Sequence, residues 1–419
     1  MPGTEYAIIV ALSFCSAVIA STAIQLILGT RLALLFADTP DRRKVHTAPI
    51  PRVGGIAMIA AVLAVTLVWY ALSVNGGLIR PIPPGLFRSI LAAATCLGVL
   101  GFLDDSKFVN IRVRHKIIVA AALALATVYI FGVHPGTISV FGLFVIPEAA
   151  GKVIAVLWIV GLINAYNLVD GLDGFAGTIS ILSLLGITAV SLLAGCTAAA
   201  VMGLFAVGAA VGFMVHNAPP ARVFMGDTGS CFLGYMTALL TIRIAFLMDG
   251  SGKVPLIMPL LAAIPILEVI ITILRRTFSA NAGGRVRRTL RHIVTADNSH
   301  LHHRFLFRGF SHLETCILVG LLTTTIVGGA VCVMMAPISY MPWLAAYLVI
   351  PVATALYRVR IGGSLIAPIC PEELARNIKL AAQRARTVRR QRFYNDFAMQ
   401  VALAVPVFAL LVYLLMKGA

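Results

Sequence analysis

The sequence predicts an all-α fold, a polytopic membrane helix bundle of about 11 transmembrane helices with a C-terminal extra hydrophobic helix. Of its 419 residues, 60% are hydrophobic and only 12% are charged, and the mean hydropathy is +0.97. A soluble domain carries about 25% charged residues, and a disordered chain has low hydrophobicity, so both classes are excluded. Apolar runs of about 20 residues, the length of a membrane-spanning helix, recur along the chain. The short alternating segments of a membrane β-barrel are not seen.

Twelve apolar runs are predicted as membrane segments. Eleven form a continuous series, which with its loops is a transmembrane catalytic domain over 1–357. The remainder, 358–419, is a basic cytoplasmic segment followed by the hydrophobic helix. The third and fifth runs are short for full spans and end in polar motifs, so we expect them to stop where they meet a water-filled cavity. The runs lie near 5–28, 54–74, 88–103, 117–133, 153–169, 175–194, 197–216, 229–248, 254–274, 313–335, 342–357 and 397–416.

The distribution of charge indicates which side of the membrane carries the chemistry. With the N-terminus outside, most of the 33 lysines and arginines fall in inside loops, as the positive-inside rule requires. The chain has only sixteen acidic residues, and acids near a membrane are a functional hypothesis by default. Half of them are predicted at inside helix ends or in inside loops, which predicts a site at the cytoplasmic face. They are Asp38, Asp41, Asp104, Asp105, Asp170, Asp173, Asp227 and Asp297.

The first inside loop, 38–55, is densely cationic. It contains Lys44, His46 and Arg52, and prolines stiffen it. The pattern is typical of a positive-inside anchor, and it also suits a phosphate-binding surface. The pair Gly54–Gly55 opens the next span and allows a close approach of backbone.

The second inside loop follows two adjacent carboxylates, Asp104 and Asp105, at the end of the third span. Two neighbouring carboxylates repel each other, so a divalent cation or downstream basic residues must hold them. The structural alternative is a helix-end pair neutralised by Arg112 or Arg114.

The third inside loop carries two amides and two acids. Asn164, Asn167 and Asp170 are spaced by three residues and can share one helix face, and Asp173 follows one step later. Amides can recognise a base or a sugar, and carboxylates can hold a metal or a hydroxyl group. Purely structural polar contacts rarely need so many polar groups within ten residues.

The last two inside loops add one acid and a histidine cluster. Asp227 lies between glycines at the start of a span, where it could equally be a helix cap, and Phe224 just before it could stack on a base. The fifth loop ends in the segment 300–304, which has histidines at 300, 302 and 303 followed by an arginine. A zinc site is not favoured there, because a matching Cys or acid is not obvious. The histidines and arginine instead favour contact with a diphosphate. Together the loops predict Mg²⁺-assisted phosphoryl chemistry.

In this order and spacing, the five loops resemble those of the polyprenyl-phosphate N-acetylhexosamine-1-phosphate transferase family over about residues 1–357. The resemblance implies transfer of a sugar 1-phosphate from a UDP-N-acetylhexosamine to polyprenyl phosphate, releasing UMP, with Mg²⁺ or Mn²⁺. It also implies a multi-pass protein of the bacterial inner membrane with a cytoplasmic active site. No nucleic-acid partner is expected, and a homodimer is a further possibility.

The resemblance assigns expected roles by motif. Asp104, Asp105 and Asp227 match the acidic, metal-binding positions, with Asp104 the candidate base for the lipid phosphate. Together with His302, these three form the expected catalytic set. The expected substrate-binding residues are Lys44, His46, Arg52, Asn164, Asn167, Asp170, Asp173, Phe224, His300, His303 and Arg304.

The first loop and the sequence HLHHR are most similar to the UDP-N-acetylglucosamine branch, which starts O-antigen, enterobacterial antigen or teichoic-acid linkage synthesis. The phospho-MurNAc-pentapeptide branch of peptidoglycan synthesis is the alternative. Two readings from other classes are a secondary transporter and a non-catalytic lipid-binding scaffold. A transporter would need an internal repeat and charges at the bilayer midplane; only Arg243 and Glu268 are candidates for the latter.

Overall fold

The computed structural model describes residues 3–38, 49–75, 79–106, 111–281, 300–308 and 310–340, with single positions at 349 and 353. The described chain is an all-α bundle, as predicted, with two short antiparallel hairpins. The last two predicted apolar runs, the domain boundary at 357 and the whole of 358–419 lie outside the described residues, apart from the two single positions.

The helices and strands follow in chain order. The helices are α1 (Gly3–Leu28), α2 (Leu32–Leu35), α3 (Gly54–Asn75), α4 (Pro84–Asp105), α5 (Val113–Leu125, continued by a π-helical turn at Ala126–Ile130), α6 (Glu148–Val169), α7 (Phe175–Leu193), α8 (Thr197–Asn217), α9 (Gly226–Leu247), α10 (Val254–Leu261), α11 (Ala263–Asn281), α12 (Leu301–Phe307) and α13 (His312–Met335), with a 3₁₀ turn at Ile338–Tyr340. Strands β1 (Ala37–Asp38) and β2 (Ile50–Pro51) pair, as do β3 (Ile138–Val140) and β4 (Phe144–Ile146).

Within the described residues, nine helices are long and apolar enough to cross a membrane, or ten if the bent pair α10–α11 counts as one span. The expectation that the third and fifth spans are short is wrong. Helices α4 and α6 each have 22 residues, mainly because they begin four or five residues before the predicted apolar runs, at Pro84 and Glu148.

The ninth predicted run is a broken span. Helices α10 and α11 meet at an angle of 84°. Pro259 lies inside α10, and Pro265 has no N–H to offer the carbonyl of Leu261, so the hydrogen-bond ladder cannot run straight through this point. The bend redirects α11 and the polar residues that it carries.

Helix α9 lies at the centre of the bundle, with 83% of its apolar window buried. Small residues let its inside end approach two neighbouring helices. A Cβ atom added to Gly55 of α3 would lie 2.1 Å from the backbone nitrogen of Gly229, and one added to Gly101 of α4 would lie 2.4 Å from Cα of Thr228. The close approach predicted at Gly54–Gly55 is therefore present, and it brings the N-terminal ends of α3 and α9 and the C-terminal end of α4 together.

Candidate active site

Three carboxylates meet where the C-terminal end of α4 lies beside the N-terminal end of α9. Asp104 and Asp105 occupy the last turn of α4, and Asp227 occupies the first turn of α9. One oxygen atom from each of the three side chains lies within 4.8 Å of the other two. Residues more than 120 positions apart in the sequence thus form one acidic cluster.

A lysine from the next helix neutralises part of this cluster. Lys116, in the first turn of α5, forms ion pairs with Asp104 at 2.7 Å and with Asp227. All three side chains are only about one-fifth exposed. The alternative reading expected Arg112 or Arg114 to neutralise the acids, but the structure gives this contact to Lys116.

Asp105 has a different environment and is fully buried. One oxygen accepts the backbone N–H of Asp227 at 3.1 Å, and the other accepts the N–H of Thr228 at 3.1 Å and its hydroxyl at 2.7 Å. These bonds cap the N-terminus of α9, whose amides otherwise lack acceptors. The reading of Asp227 as the cap of its own helix is wrong, because Asp105 supplies the capping oxygens from α4.

Arg52 connects the first inside loop to the cluster. Its guanidinium lies 3.0 Å from Asp38 and 3.9 Å from Asp105. Burial lowers the pKa of Arg52, but the charges of Asp38, Asp105 and Asp227 outweigh it and raise the pKa, so the group is a permanent cation at the site. Lys44 and His46 of the same loop lie outside the described residues.

The third inside loop contributes two of its polar residues to this region. Asn167 donates to Asp227 at 3.4 Å and accepts from Ser230 at 3.4 Å. Burial, followed by the charges of Asp227 and Asp105, raises the pKa of Asp170 to about 7, against the opposing effect of Arg52. The carboxyl group of Asp170 is therefore close enough to Asp227 and Asp105 for their charges to affect its pKa.

The other two polar residues of that loop make different contacts. Asn164 donates to the carbonyl of Val160 in its own helix at 2.7 Å. Asp173 accepts the N–H of Ala221 at 3.2 Å and lies 3.2 Å from His312. Of the three residues predicted to share a helix face, Asn167 contacts the cluster, Asn164 bonds within α6, and Asp170 lies just after the last helical residue. Asp173 is tied to the start of α13.

Phe224 lies in the connection between α8 and α9, where it is hydrogen-bonded to the end of the first loop. Its backbone N–H donates to Pro51 at 2.8 Å and its carbonyl accepts from Gly54 at 3.1 Å, while its side chain is half-buried. These two bonds fix the backbone of Phe224 near the start of α9, and its stacking on a base stays a prediction.

The histidine cluster lies against the bent helix α11. His300 immediately precedes α12, and its Nδ1 lies 3.6 Å from Oε2 of Glu268 and 3.5 Å from the hydroxyl of Thr272. The rings of His300 and His303 are 6.3 Å apart, and Arg304 is fully buried. The side chain of His302 lies outside the described part of the structure.

A cleft beside the acidic cluster joins polar and apolar surfaces. Asp104, Lys116 and Asp227 form its polar end, and the remaining wall consists of Leu97, Leu100, Gly101 and Cys231. An apolar surface therefore lies directly beside the charged groups of the acidic cluster.

The donor set fits a hard divalent cation, which prefers carboxylate oxygen ligands. Asp104 and Asp227 suit this role best, because their oxygens face a lysine ammonium that a metal ion could replace. Asp105 is less available, since three donors already use its oxygen atoms. Among the described residues, no other group of three acidic, histidine or cysteine side chains has suitable geometry.

Sequence reasoning missed Lys116, Thr228 and Glu268 as parts of these sites. Lys116 had a usable signal, because the short connection from Asp105 makes α4 and α5 antiparallel neighbours and returns the lysine to the acids. Thr228 and Glu268 had weaker signals, since a threonine in a first turn and one acid in a span identify no partner.

Comparisons with known proteins agree with the loop motifs. Residues 87–245 match the family described as glycosyl transferase family 4. The undecaprenyl-phosphate alpha-N-acetylglucosaminyl 1-phosphate transferase of Thermotoga maritima is 29% identical over 270 residues, which cover 64% of this chain and 72% of the relative.

Two further relatives extend the match. The decaprenyl-phosphate N-acetylglucosaminephosphotransferase of Mycobacterium tuberculosis is 27% identical over 325 residues, covering 70% of this chain and 74% of the relative. The phospho-N-acetylmuramoyl-pentapeptide-transferase of Heliobacterium modesticaldum is 28% identical over 300 residues, covering 69% and 84%. The family recognised from the loop motifs is confirmed: the chain is a homologue of the polyprenyl-phosphate N-acetylhexosamine-1-phosphate transferases.

Proposed function

We propose that this protein transfers N-acetylglucosamine 1-phosphate from UDP-N-acetylglucosamine to a polyprenyl phosphate. An oxygen of the lipid phosphate forms a bond to the β-phosphorus of the nucleotide sugar, and the bond from that phosphorus to the bridging oxygen breaks. The products are polyprenyl-diphosphate-N-acetylglucosamine and UMP. This is the first membrane step of a cell-envelope polysaccharide, such as an O-antigen or a teichoic-acid linkage unit.

One observation carries the proposal: of three clustered carboxylates, Asp104 and Asp227 meet Lys116 at a small pocket whose remaining wall is apolar. A lipid phosphate needs both surfaces, one for its charged head and one for the start of its chain. The three relatives named above have polyprenyl-phosphate or amino-sugar phosphate transfer in their names, which supports the same reaction.

The residues divide into three roles under this proposal. Asp104 is the base that takes a proton from the lipid phosphate, and Asp104 and Asp227 would hold a Mg²⁺ ion, or Mn²⁺ in its place. Bound there, the metal would neutralise charge on the diphosphate and on the leaving UMP. Asp105 holds the first turn of α9 in place and thereby fixes the position of Asp227.

The nucleotide and sugar are assigned to the surrounding loops. Asn167 and Asp170 bind near the nucleotide, Phe224 packs on the uracil, and Arg52 with Lys116 balances phosphate charge. His300, His302, His303 and Arg304 contact the diphosphate. Lys44, His46, Asn164 and Asp173 complete the proposed substrate-binding set.

The positive-inside distribution of charge supports a site at the cytoplasmic face of a bacterial inner membrane, where UDP-sugars are available. The apolar helices support a multi-pass membrane protein. A homodimer remains a prediction.

The test is UMP release by the purified full chain in detergent with Mg²⁺, undecaprenyl phosphate and a panel of UDP-sugars. We expect release with UDP-N-acetylglucosamine and a lipid-linked product of matching mass. The second candidate, supported by the Heliobacterium relative, is phospho-MurNAc-pentapeptide transfer, and preferential release with that UDP donor would replace the first proposal. Transport of UDP-sugar into proteoliposomes without a lipid product would overturn both.

A further inference from the structure

Helix α11 carries a carboxylate that the reaction scheme above does not use. Glu268 lies in the part of the chain that would cross the membrane, and its side chain is fully buried. A buried carboxylate is costly unless another group compensates its charge, and an acid at membrane depth is expected to have a function. Its ion-pair contact is with the histidine at the entrance to α12.

The contact is directed at one nitrogen of the imidazole ring. Glu268 and Thr272 are four residues apart on α11 and so lie on one helix face. Oε2 of Glu268 and the hydroxyl of Thr272 approach the same atom, Nδ1 of His300, at 3.6 and 3.5 Å. These distances are longer than good hydrogen bonds, but catalytic hydrogen bonds are often long without substrate and shorten when substrate binds.

The backbone of His300 is fixed as well. The residue is in an extended conformation immediately before α12, and its carbonyl accepts the N–H of Arg304 at 3.2 Å. Only 8% of the residue is exposed. The remaining freedom of the side chain is the rotation of the ring, which an acceptor at Nδ1 restricts.

We propose that Glu268 is a positioning residue, which holds the proton of His300 on Nδ1 and so directs Nε2 toward a phosphate oxygen of the UDP-sugar. The two ring nitrogens of a histidine are distinct, and the hydrogen bond at one decides what the other can do. Thr272 restricts the ring from the same helix face. This inference rests on the proposed function, because it assumes that His300 contacts the diphosphate.

The 84° break gives the arrangement a structural cause. A straight continuation of α10 would carry Glu268 and Thr272 along the axis of that helix, away from their present direction. The bend at Pro259 and Pro265 therefore decides where the carboxylate meets the loop that contains the histidines.

The kinetic test compares Glu268→Gln, Thr272→Val, His300→Gln and the double variant Glu268→Gln/His300→Gln in UMP release. Loss of such a supporting partner typically costs about 10- to 100-fold in activity. We expect a loss of that size in kcat for Glu268→Gln, a smaller loss for Thr272→Val, and no further loss when Glu268→Gln is added to His300→Gln. Glu148→Gln is the matched control, since Glu148 pairs with Lys152 and its side chain is half exposed.

A second measurement does not depend on activity. In ¹⁵N spectra of histidine-labelled protein, the signal that disappears in His300→Gln should report a proton on Nδ1, and Glu268→Gln should shift that signal. Multiplicative kinetic losses in the double variant, or an unchanged His300 signal in Glu268→Gln, would overturn the inference. If the wild-type chain releases UMP from no donor, the proposed function fails, and the spectra still decide whether Glu268 fixes the ring.

Discussion

The buried carboxylate of Asp105 accepts the backbone N–H of Asp227 at 3.1 Å, across two helices that are far apart in the sequence. The end of α4 therefore caps the start of α9 and holds Asp227 beside Asp104 and Lys116. This relationship separates the three aspartates into two that face the cleft and one that supports them.

Asp104→Asn and Asp227→Asn should each abolish UMP release while the protein stays folded. Each substitution removes a charged oxygen ligand that a divalent cation needs, but keeps the size of the side chain. Activity should be measured across a Mg²⁺ titration, with Asp249→Asn as control, because Asp249 contacts Thr137 beyond the other end of α9. Full activity in either site variant contradicts the assignment.

Asp105→Ala should destabilise the protein as well as reduce activity. It removes an acceptor for three donors at the start of α9, and loss of a helix cap costs about 0.5–2 kcal/mol. We expect a lower melting temperature in detergent, and a smaller effect for Asp105→Asn, which keeps one acceptor oxygen. Equal melting temperatures for wild type and Asp105→Ala would show that the cap is unimportant.

Lys116→Met should tighten divalent-cation binding in the absence of substrate. The ammonium group forms ion pairs with Asp104 and Asp227, so it competes with a metal for their charge. We expect the dissociation constant of the cation to fall about tenfold. This corresponds to about 1.4 kcal/mol, a modest fraction of the interaction between a lysine and a carboxylate at this distance. Mn²⁺ binding measured by electron paramagnetic resonance tests this, and weaker binding in the variant would contradict it.

Gly226→Ala should be more harmful than an ordinary glycine substitution. Gly226 has φ +70°, and an added Cβ would lie 2.5 Å from an oxygen of Asp105, so both backbone strain and a clash oppose alanine. Gly161→Ala is the control, because Gly161 lies inside α6 with no atom within 4 Å of the added Cβ. There alanine should stabilise by roughly 0.5–1 kcal/mol. Similar melting temperatures for the two variants would contradict this account of the turn.

The stability of the metal-free protein should fall as the pH rises from about 5 to above 7. The pKa of Asp170 is raised from 3.8 to about 7 in the folded chain, so the folded state binds a proton that the unfolded state has lost in this range, and stability decreases until both are ionised. Melting temperatures in a chelator should show this slope, and Asp170→Asn should reduce it. An identical slope in the variant would exclude Asp170 as its source.

The sequence alone determined the membrane class and the approximate positions of the spans that the structure describes. The side of the membrane on which the polar residues gather stays a prediction from the charge distribution. These features depend on local composition, because a helix that crosses a bilayer must be apolar along its own length. The acids at 104, 105 and 227 were found the same way, as scarce charges at helix ends.

Only the tertiary structure decided which of these groups meet and in what role. Lys116 instead of Arg112 or Arg114 neutralises the acids, and Asp105 caps a distant helix. Glu268 lies against His300 because α11 leaves α10 at an 84° break. Each of these contacts joins segments that approach each other because of small glycine residues or a break between helices. The local sequence of one helix does not specify which distant helix it will contact.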